Sequence, residues 1–199
     1  MRAGERRYYE LRAPEYDDWY LGRGVHEGVE RPGWDEELAR LVAVIEALPP
    51  GCVLDVACGT GFLTRHLRGE IIGIDQSATM LEIARGRCPG ATLLQADALA
   101  LPFEDRSFDR VFTGHFYGHL RASDREQFLS EARRLASELV VVDTALRPGL
   151  GREEVHERVL SDGSRHAVYK RYFAPEELAR ELGGGRTLHA GDWFVVVAT

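Results

Sequence analysis

Short apolar runs alternate with segments of helical period through the middle of this chain. Residues 52–57 (Cys-Val-Leu-Asp-Val-Ala) read as a buried strand, 70–75 (Glu-Ile-Ile-Gly-Ile-Asp) as a second and 91–95 as a short third. Residues 108–113 and 138–144 read as a fourth and a fifth. Between them the pattern predicts helices over about 62–67, 77–84 and 123–136. Ser77 stands at the N-cap of the second helix, and Ser123-Asp124-Arg125-Glu126 has capping-box spacing at the start of the third. Strands and helices in strict alternation imply a parallel sheet with right-handed crossovers, covered by helices on both faces.

The two ends carry different patterns. Residues 5–20 form a helical stretch rich in aromatics (Tyr8, Tyr9, Tyr16, Trp19, Tyr20), and a helix over 34–48 follows Pro32. Residues 155–172 alternate in β fashion around Ser161-Asp162-Gly163-Ser164, a hairpin turn signal. Ala174-Pro175-Glu176-Glu177-Leu178 opens a last helix with proline in its first turn, before two short strands at 186–190 and 193–198. With no repeat or linker, the reading is a single domain over 1–199. It divides into a cap (1–33), a core (34–144), a hairpin insertion (145–173) and a closing helix with strands (174–199).

Composition narrows the class. A length of 199 residues, 44% hydrophobic, fills one domain, whereas two domains would each be near the lower size limit. No apolar run approaches the roughly 20 residues that cross a bilayer, and Met1-Arg2-Ala3-Gly4-Glu5-Arg6 has no signal-peptide core. A cytoplasmic protein without membrane insertion is expected. A net charge of −7 disfavours nucleic acid as a partner. Cys52, Cys58 and Cys88 are an odd number with no Cys-x-x-Cys pair, so neither a disulfide framework nor a metal site is indicated. Of the 25 basic residues only Lys170 is lysine, and asparagine is absent; a warm-living source or, as the blander reading, coding bias accounts for this, and it says little about function.

The chemistry concentrates where three successive strands end. In Val53-Leu54-Asp55-Val56-Ala57-Cys58-Gly59-Thr60-Gly61-Phe62-Leu63 a strand runs into a loop of tiny residues, which lets a ligand approach the backbone. A tight structural turn is the bland alternative. A dinucleotide fingerprint would place a third glycine where Thr64 stands, and a phosphate loop would end in Gly-Lys-Ser/Thr, which is absent. Asp55 would repel a pyrophosphate and suits a cationic ligand such as an amino-acid ammonium. Asp75 ends the second strand, where a carboxylate can accept from both hydroxyls of a ribose; capping the following helix is its alternative role. Asp97 follows the third strand, where with the Ala98 amide it can read an adenine edge, or serve simply as a polar loop residue.

Together these residues resemble the class I S-adenosylmethionine-dependent methyltransferases, in their ubiquinone/menaquinone-biosynthesis-like (methyltransferase type 11-like) branch. Residues 53–67 are similar to the family's first motif and 71–81 (Ile-Ile-Gly-Ile-Asp-Gln-Ser-Ala-Thr-Met-Leu) to its second. Residues 95–109 resemble the third and fourth, and 9–17 the aromatic helix that opens many members. The resemblance implies an α/β fold: a Rossmann-like doubly wound sheet of about seven strands, mostly parallel with an antiparallel C-terminal strand, plus an N-terminal helical cap and an inserted β-hairpin. It implies S-adenosyl-L-methionine as cofactor. Asp55, Ala57 and Gly59 would surround its methionine part, with Gly61 allowing close packing. Asp75 would hold the ribose, Gln76 and Met80 would flank the adenine, and Asp97 with Ala98 would read its edge. Thr113 would lie near the methionine moiety, and Tyr9 and Tyr16 would close over the site. Before its fifth strand the family often shows Arg-Val-Leu-Lys-Pro-Gly-Gly, whereas this chain has the short connection Arg134-Leu135-Ala136-Ser137-Glu138-Leu139, so the acceptor is not carried over.

The activity implied is in-line methyl transfer to a small-molecule nucleophile. A non-catalytic S-adenosylmethionine- or nucleoside-binding protein and an NAD-dependent oxidoreductase are the alternatives. Thr113-Gly114-His115-Phe116-Tyr117-Gly118-His119-Leu120 places His115 and His119 where acceptor should enter, as candidate catalytic groups or as histidines that pack the next helix. The hairpin is locally basic (His156, Arg158, Arg165, His166, Lys170, Arg171). It can cover an acidic small substrate, pair with a second subunit as a homodimer, or stand as a solvated edge that resists strand addition.

Overall fold

The computed structural model describes residues 3–199, with side chains from Arg6 onward. Its strands are β1 (Gly51–Val56), β2 (Gly69–Asp75), β3 (Thr92–Gln95), β4 (Arg110–Gly114), β5 (Glu138–Thr144), β6 (Glu153–Val159), β7 (Arg165–Arg171), β8 (Arg186–Ala190) and β9 (Phe194–Ala198). Its helices are α1 (Ala3–Arg12), α2 (Asp18–Leu21), α3 (Trp34–Glu46), α4 (Ala78–Arg87), α5 (Ala122–Leu135) and α6 (Pro175–Glu181). Seven strands form one sheet in the order β3-β2-β1-β4-β5-β9-β8, and β6 with β7 forms a separate two-stranded sheet. Strands β1 to β5 run parallel, while β9 is antiparallel to both its neighbours. This is the seven-stranded, mostly parallel sheet that the sequence predicts.

Alternation along each strand distributes side chains to two cores. Leu54, Val56, Val111, Val141, Val195 and Val197 pack with Phe128 and Leu129 of α5 and Leu178 of α6. Their neighbours Val53, Phe112, Val140, Val142, Phe194 and Val196 face the other way, onto Leu41 and Ile45 of α3 and onto Tyr20 and Trp34. With both faces covered, the strands read as continuous apolar runs. α3 buries Trp34, Glu37, Leu41 and Ile45 on one stripe. Glu37 earns its burial by accepting from the backbone amides of Asp192, Trp193 and Phe194, which ties α3 to the turn between β8 and β9. Burial raises its pKa, but those bonds and His189 outweigh it, so the carboxyl lies below its ordinary value.

Three predicted elements differ. The helix expected over 62–67 is only a 3-10 turn, Thr64–His66. The preceding loop takes left-handed turns at Ala57, Gly59 and Gly61, and Leu67 is already extended towards the β2 register Gly51 to Gly69, so no room for an α-helix remains. The N-terminal helical stretch breaks at Ala13–Glu15, where Pro14 cannot donate a helical bond, and resumes as the single turn of α2. α5 begins at Ala122 behind Arg121, with no side-chain cap, because the Arg125 amide already bonds to the Arg121 carbonyl; Ser123 lies inside the helix rather than capping it. Ser77 does cap α4, its hydroxyl accepting from the Met80 amide at 3.1 Å.

Candidate functional site

The sheet reverses its winding between β1 and β4, and the crevice beyond the carboxyl ends of such strands is where open α/β sheets bind ligands. Two non-glycine residues at those ends are held in left-handed backbone: Ala57 after β1 (φ 59°) and His115 after β4 (φ 55°). Such strain persists where the surroundings enforce it, and it gathers at functional sites. Gly59 (φ 55°) donates its amide to Asp75 Oδ2 at 3.0 Å, and the Ser77 amide bonds to Asp75 Oδ1 at 2.8 Å. Asp75 therefore both braces the loop and starts the helix, while the carboxylate keeps lone-pair capacity for a ligand. Burial pushes its pKa up, against the bonds from Ser77 and Gly59 that pull it down.

The N-terminal cap roofs this crevice. Glu10 accepts from the amides of Ala78 and Thr79 (2.9 and 3.1 Å) and from the Thr79 hydroxyl (2.6 Å), placing a carboxylate at the N-terminus of α4. Asp17 accepts from the Thr60 hydroxyl at 2.6 Å and pairs with Arg87. Between these ties Tyr9 and Tyr16 lie across the opening. Beneath them is a cleft of about 490 Å³, bounded by Tyr9, Tyr16, Ala57, Gly59, Asp75, Gln76, Met80, Ala98 and His115. The structure thus brings together nine residues singled out in the sequence. Ile74, Ala96, Gly114 and Phe116 also line it. They escaped sequence reading, although Ala96 and Gly114 are small residues at strand ends where a ligand approaches.

The other predicted residues stand apart from that cleft. Asp55 is buried in an adjoining recess with Ala57 and Gly114, and its Oδ2 accepts from Thr64 at 2.6 Å. Burial, against the Thr64 bond and with the charge of Asp75, raises its pKa to about 7. Thr64, where a dinucleotide fingerprint has glycine, is committed to this bond. Gly61 (φ 75°) backs the loop onto α4, where a Cβ would meet Cys88 Sγ at 2.8 Å. Asp97 is exposed, and its Oδ1 accepts from the Leu99 amide at 3.0 Å. Thr113 is fully buried and donates to the Val56 carbonyl at 2.8 Å, which locks β4 to β1.

A second cleft, of about 790 Å³, adjoins the first and shares Tyr9, Tyr16 and His115 with it. His119, Lys170 and Arg158 line it, together with Arg12, Trp19, Thr144, Arg147, Tyr172 and Trp193, none of which the sequence marks as site residues. His115 is buried among Trp19, Tyr20 and Phe194, and neither ring nitrogen has a partner among the described residues. Burial pushes its pKa down to about 3. His119 Nδ1 lies 2.7 Å from the Tyr169 carbonyl, so Nδ1–H donates and Nε2 keeps its lone pair. Its pKa is likewise lowered to about 3 by burial and then by Lys170. The lone lysine, Lys170, is paired at 2.5 Å with buried Asp143, which also accepts from the Gly118 and Thr144 amides at 2.7 Å each. Burial alone would raise Asp143, but the charges of Lys170 and His115 and these bonds hold it below the ordinary carboxylate value. Among the described residues no side-chain cluster suits a metal ion, and no helix is long and apolar enough to cross a membrane.

The first cleft has the features an adenosyl sulfonium would need: the Asp75 carboxylate, a glycine loop where a Cβ on Gly59 would lie 3.6 Å from the Tyr16 ring, and the unpartnered imidazole of His115. Comparison with known proteins agrees. Residues 53–138 match the model of a methyltransferase domain family. The demethylmenaquinone methyltransferase of Thermotoga maritima is 42% identical over 101 residues, covering 48% of this chain and 43% of its own. The 2-phytyl-1,4-naphtoquinone methyltransferase of Trichormus variabilis is 34% identical over 138 residues, covering 62% and 56%. The chain thus spans about half the length of the curated relatives it matches. Among solved structures, the DhpI-SAM-HEP complex superposes with a TM-score of 0.78 at 25% identity, covering 100% of this chain and 98% of that one. A possible histamine N-methyltransferase from Thermotoga maritima gives 0.68 at 27% identity, covering 96% and 97%. The chain is thus similar over residues 53–138 to a methyltransferase domain family, and over nearly its whole length to an S-adenosylmethionine-dependent methyltransferase of known structure.

Proposed function

We propose that this protein transfers the methyl group of S-adenosyl-L-methionine to a small-molecule nucleophile. The observation that carries this reading is the pair of adjoining clefts that share Tyr9, Tyr16 and His115. One has the features of a cofactor site and the other is open for an acceptor, so their junction is where methyl donor and nucleophile would meet. A protein that only stored the cofactor would have no need of the second cleft.

The bound cofactor supplies an electrophilic methyl carbon; what remains for the protein is positioning and exclusion of water. Asp75 would accept from the ribose hydroxyls, Gln76, Met80 and Ala98 would enclose the adenine, and Ala57 and Gly59 would let the methionine part lie against the backbone. Asp97, exposed beside Ala98, would reach the adenine edge from the rim. Asp55 would favour the amino-acid ammonium from its recess, and Thr113 would contribute by fixing the β4 end. Tyr9 and Tyr16 would shut the site, and an aromatic face against a sulfonium adds about 0.5–2 kcal/mol. His115 and His119, as neutral imidazoles, would hydrogen-bond the acceptor on the far side of the methyl carbon. The curated relatives point to quinone-like acceptors as one class to assay. The test is incubation with methyl-labelled S-adenosylmethionine and a panel of phenols, quinones, thiols and acids. Labelled product with stoichiometric S-adenosylhomocysteine supports the reading. Tight S-adenosylhomocysteine binding with no transfer to any class favours a binding protein.

A further inference from the structure

We propose that the acceptor cleft takes a small molecule bearing an oxyanion, a carboxylate or a phosphonate, anchored by Arg12, Arg147 and Arg158; this rests on the methyl-transfer reading above. The three guanidiniums arrive from three elements: the end of α1, the segment after β5, and β6 of the hairpin. Elsewhere the partly or fully buried arginines are matched by carboxylates, except Arg31, which bonds to the Trp19 carbonyl and lies 4.1 Å from the Trp34 ring centroid. Arg110 pairs with Glu138, Arg125 with Glu181, Arg134 with Glu131, and Arg171 with Glu153 and Glu181. In the cleft, Arg12 bonds to the Tyr8 hydroxyl and lies 5.0 Å from the Tyr16 ring centroid, while Arg147 lies 3.7 Å from that of Trp193. Among the described residues no carboxylate is paired with Arg12, Arg147 or Arg158. Asp143, the acid beneath the cleft, is already engaged by Lys170 and two amides.

A surplus of half-buried cations in a chain of net charge −7 needs an explanation. Guanidiniums that have lost hydration without gaining a counter-ion are costly, and an incoming oxyanion supplies the missing partner through charge-assisted, often bidentate bonds. The rest of the lining supports the same class. It consists of aromatic, hydroxyl, imidazole and cationic side chains with no aliphatic residue, so a long hydrocarbon tail finds no apolar channel. Burial also lowers the pKa of Arg147, against the charges of Asp192 and Glu37.

The experiment is isothermal titration of the protein, saturated with S-adenosylhomocysteine, with benzoate, phenylphosphonate, neutral benzamide and 2-methyl-1,4-naphthoquinone. One or both oxyanions should bind, with affinity falling as sodium chloride rises, and the arms tell carboxylate from phosphonate. Arg147→Met and Arg158→Gln should each weaken the preferred oxyanion by about tenfold or more, with S-adenosylhomocysteine affinity within about twofold of wild type. Benzamide or the naphthoquinone binding as tightly as the acids overturns the proposal, as does indifference of oxyanion affinity to both substitutions. Absence of any oxyanion binding overturns it too. Failure to bind S-adenosylhomocysteine in the initial titration would instead sink the methyl-transfer reading, and oxyanion titration of the unliganded protein still judges the cleft.

Discussion

Asp75→Asn separates a cofactor-binding carboxylate from a merely structural one. In the wild type Oδ2 accepts from Gly59 at 3.0 Å and Oδ1 from Ser77 at 2.8 Å, with the Gln76 amide also bonded to the carboxylate, whose remaining lone-pair capacity is what the ribose hydroxyls would use. The amide keeps one oxygen, whose shorter bond to Ser77 draws it to that side, and turns its NH2 towards the Gly59 amide. One ribose bond is then lost and the other loses its charge assistance, together about 2–4 kcal/mol at roughly 1.5–3 kcal/mol per charge-assisted bond. That corresponds to about 30-fold to 1000-fold weaker binding. The unliganded protein should suffer little: the Gly59 amide loses its acceptor, but the penalty of a buried charge, which pushes the Asp75 pKa up, is relieved. Titration calorimetry with S-adenosylhomocysteine gives the affinity directly. Thermal melting gives an independent reading, because ligand at 100 times the wild-type Kd stabilises by about 2.7 kcal/mol, and a hundredfold weaker variant retains about 0.4 kcal/mol. A variant that stays folded and binds within about threefold of wild type would refute the assignment of Asp75 to the ribose.

Three further predictions concern the groups around the two clefts. Lys170→Met should destabilise the fold by about 3–5 kcal/mol at neutral pH, because it strands the buried Asp143 carboxylate. The sign with pH is fixed. In the wild type Asp143 lies below its ordinary value, so its contribution is full above that value and is lost as pH falls through the folded pKa. In the variant burial raises that pKa above the unfolded one, so the deficit in urea melts should shrink between pH 7 and pH 4.5; an equal deficit at both would contradict the pairing. Asp55, at about 7, costs stability as pH rises from the ordinary carboxylate range to 7, and a cationic ligand should pull it down. Calorimetry in buffers of different ionisation enthalpy should therefore show proton release on binding and affinity rising across pH 6–8, and absence of proton release would remove Asp55 from the ammonium site. Glu10→Gln should loosen the cap over α4. Faster hydrogen exchange in residues 6–20 and faster ligand release are expected, and unchanged exchange would show that these bonds do not hold the roof.

Much of this architecture was legible because each signal was local. The central strands β1, β4 and β5, buried on both faces, read directly as apolar runs, the Ser77 cap lay at its predicted place, and Asp75 was recognisable as an acid ending a strand. The short helix after β1 was misread because apolar spacing over 62–67 is blind to the closure of a loop in which Ala57, Gly59 and Gly61 all take positive φ. The supposed capping box at Ser123 failed for a related reason: the backbone bond from Arg125 to Arg121 starts the helix earlier than any side chain can announce. Asp97 and Thr113 carried the expected residue types, yet one is exposed and the other is buried within the sheet on the Val56 carbonyl, since side-chain direction depends on register that spacing alone does not give. The second cleft was least legible, because Arg12, Arg147 and Arg158 are separated by long stretches of chain and meet only when cap and hairpin dock.

Charge distribution joins these observations into one argument about the hairpin. In the sequence its basic residues suited a solvated edge as well as a covering arm. The fold divides them: Arg165 pairs with Glu157 in solvent, and Arg171 is met by Glu153 and by Glu181 of α6, so both serve the hairpin itself. Lys170 instead reaches inward to Asp143, and the adjacent residue of the same strand, Tyr169, presents its carbonyl to His119, which anchors β7 on the segment after β4. That anchoring fixes the tautomer of His119 and places Arg158 across from Arg12 and Arg147. A hairpin serving only as a solvated edge would have no reason to bury the chain's single lysine or to leave Arg158 facing a cleft without a carboxylate. On the proposed reading the hairpin would act as a wall of the acceptor cleft, and substitutions on its inward face should alter acceptor choice before they alter cofactor affinity.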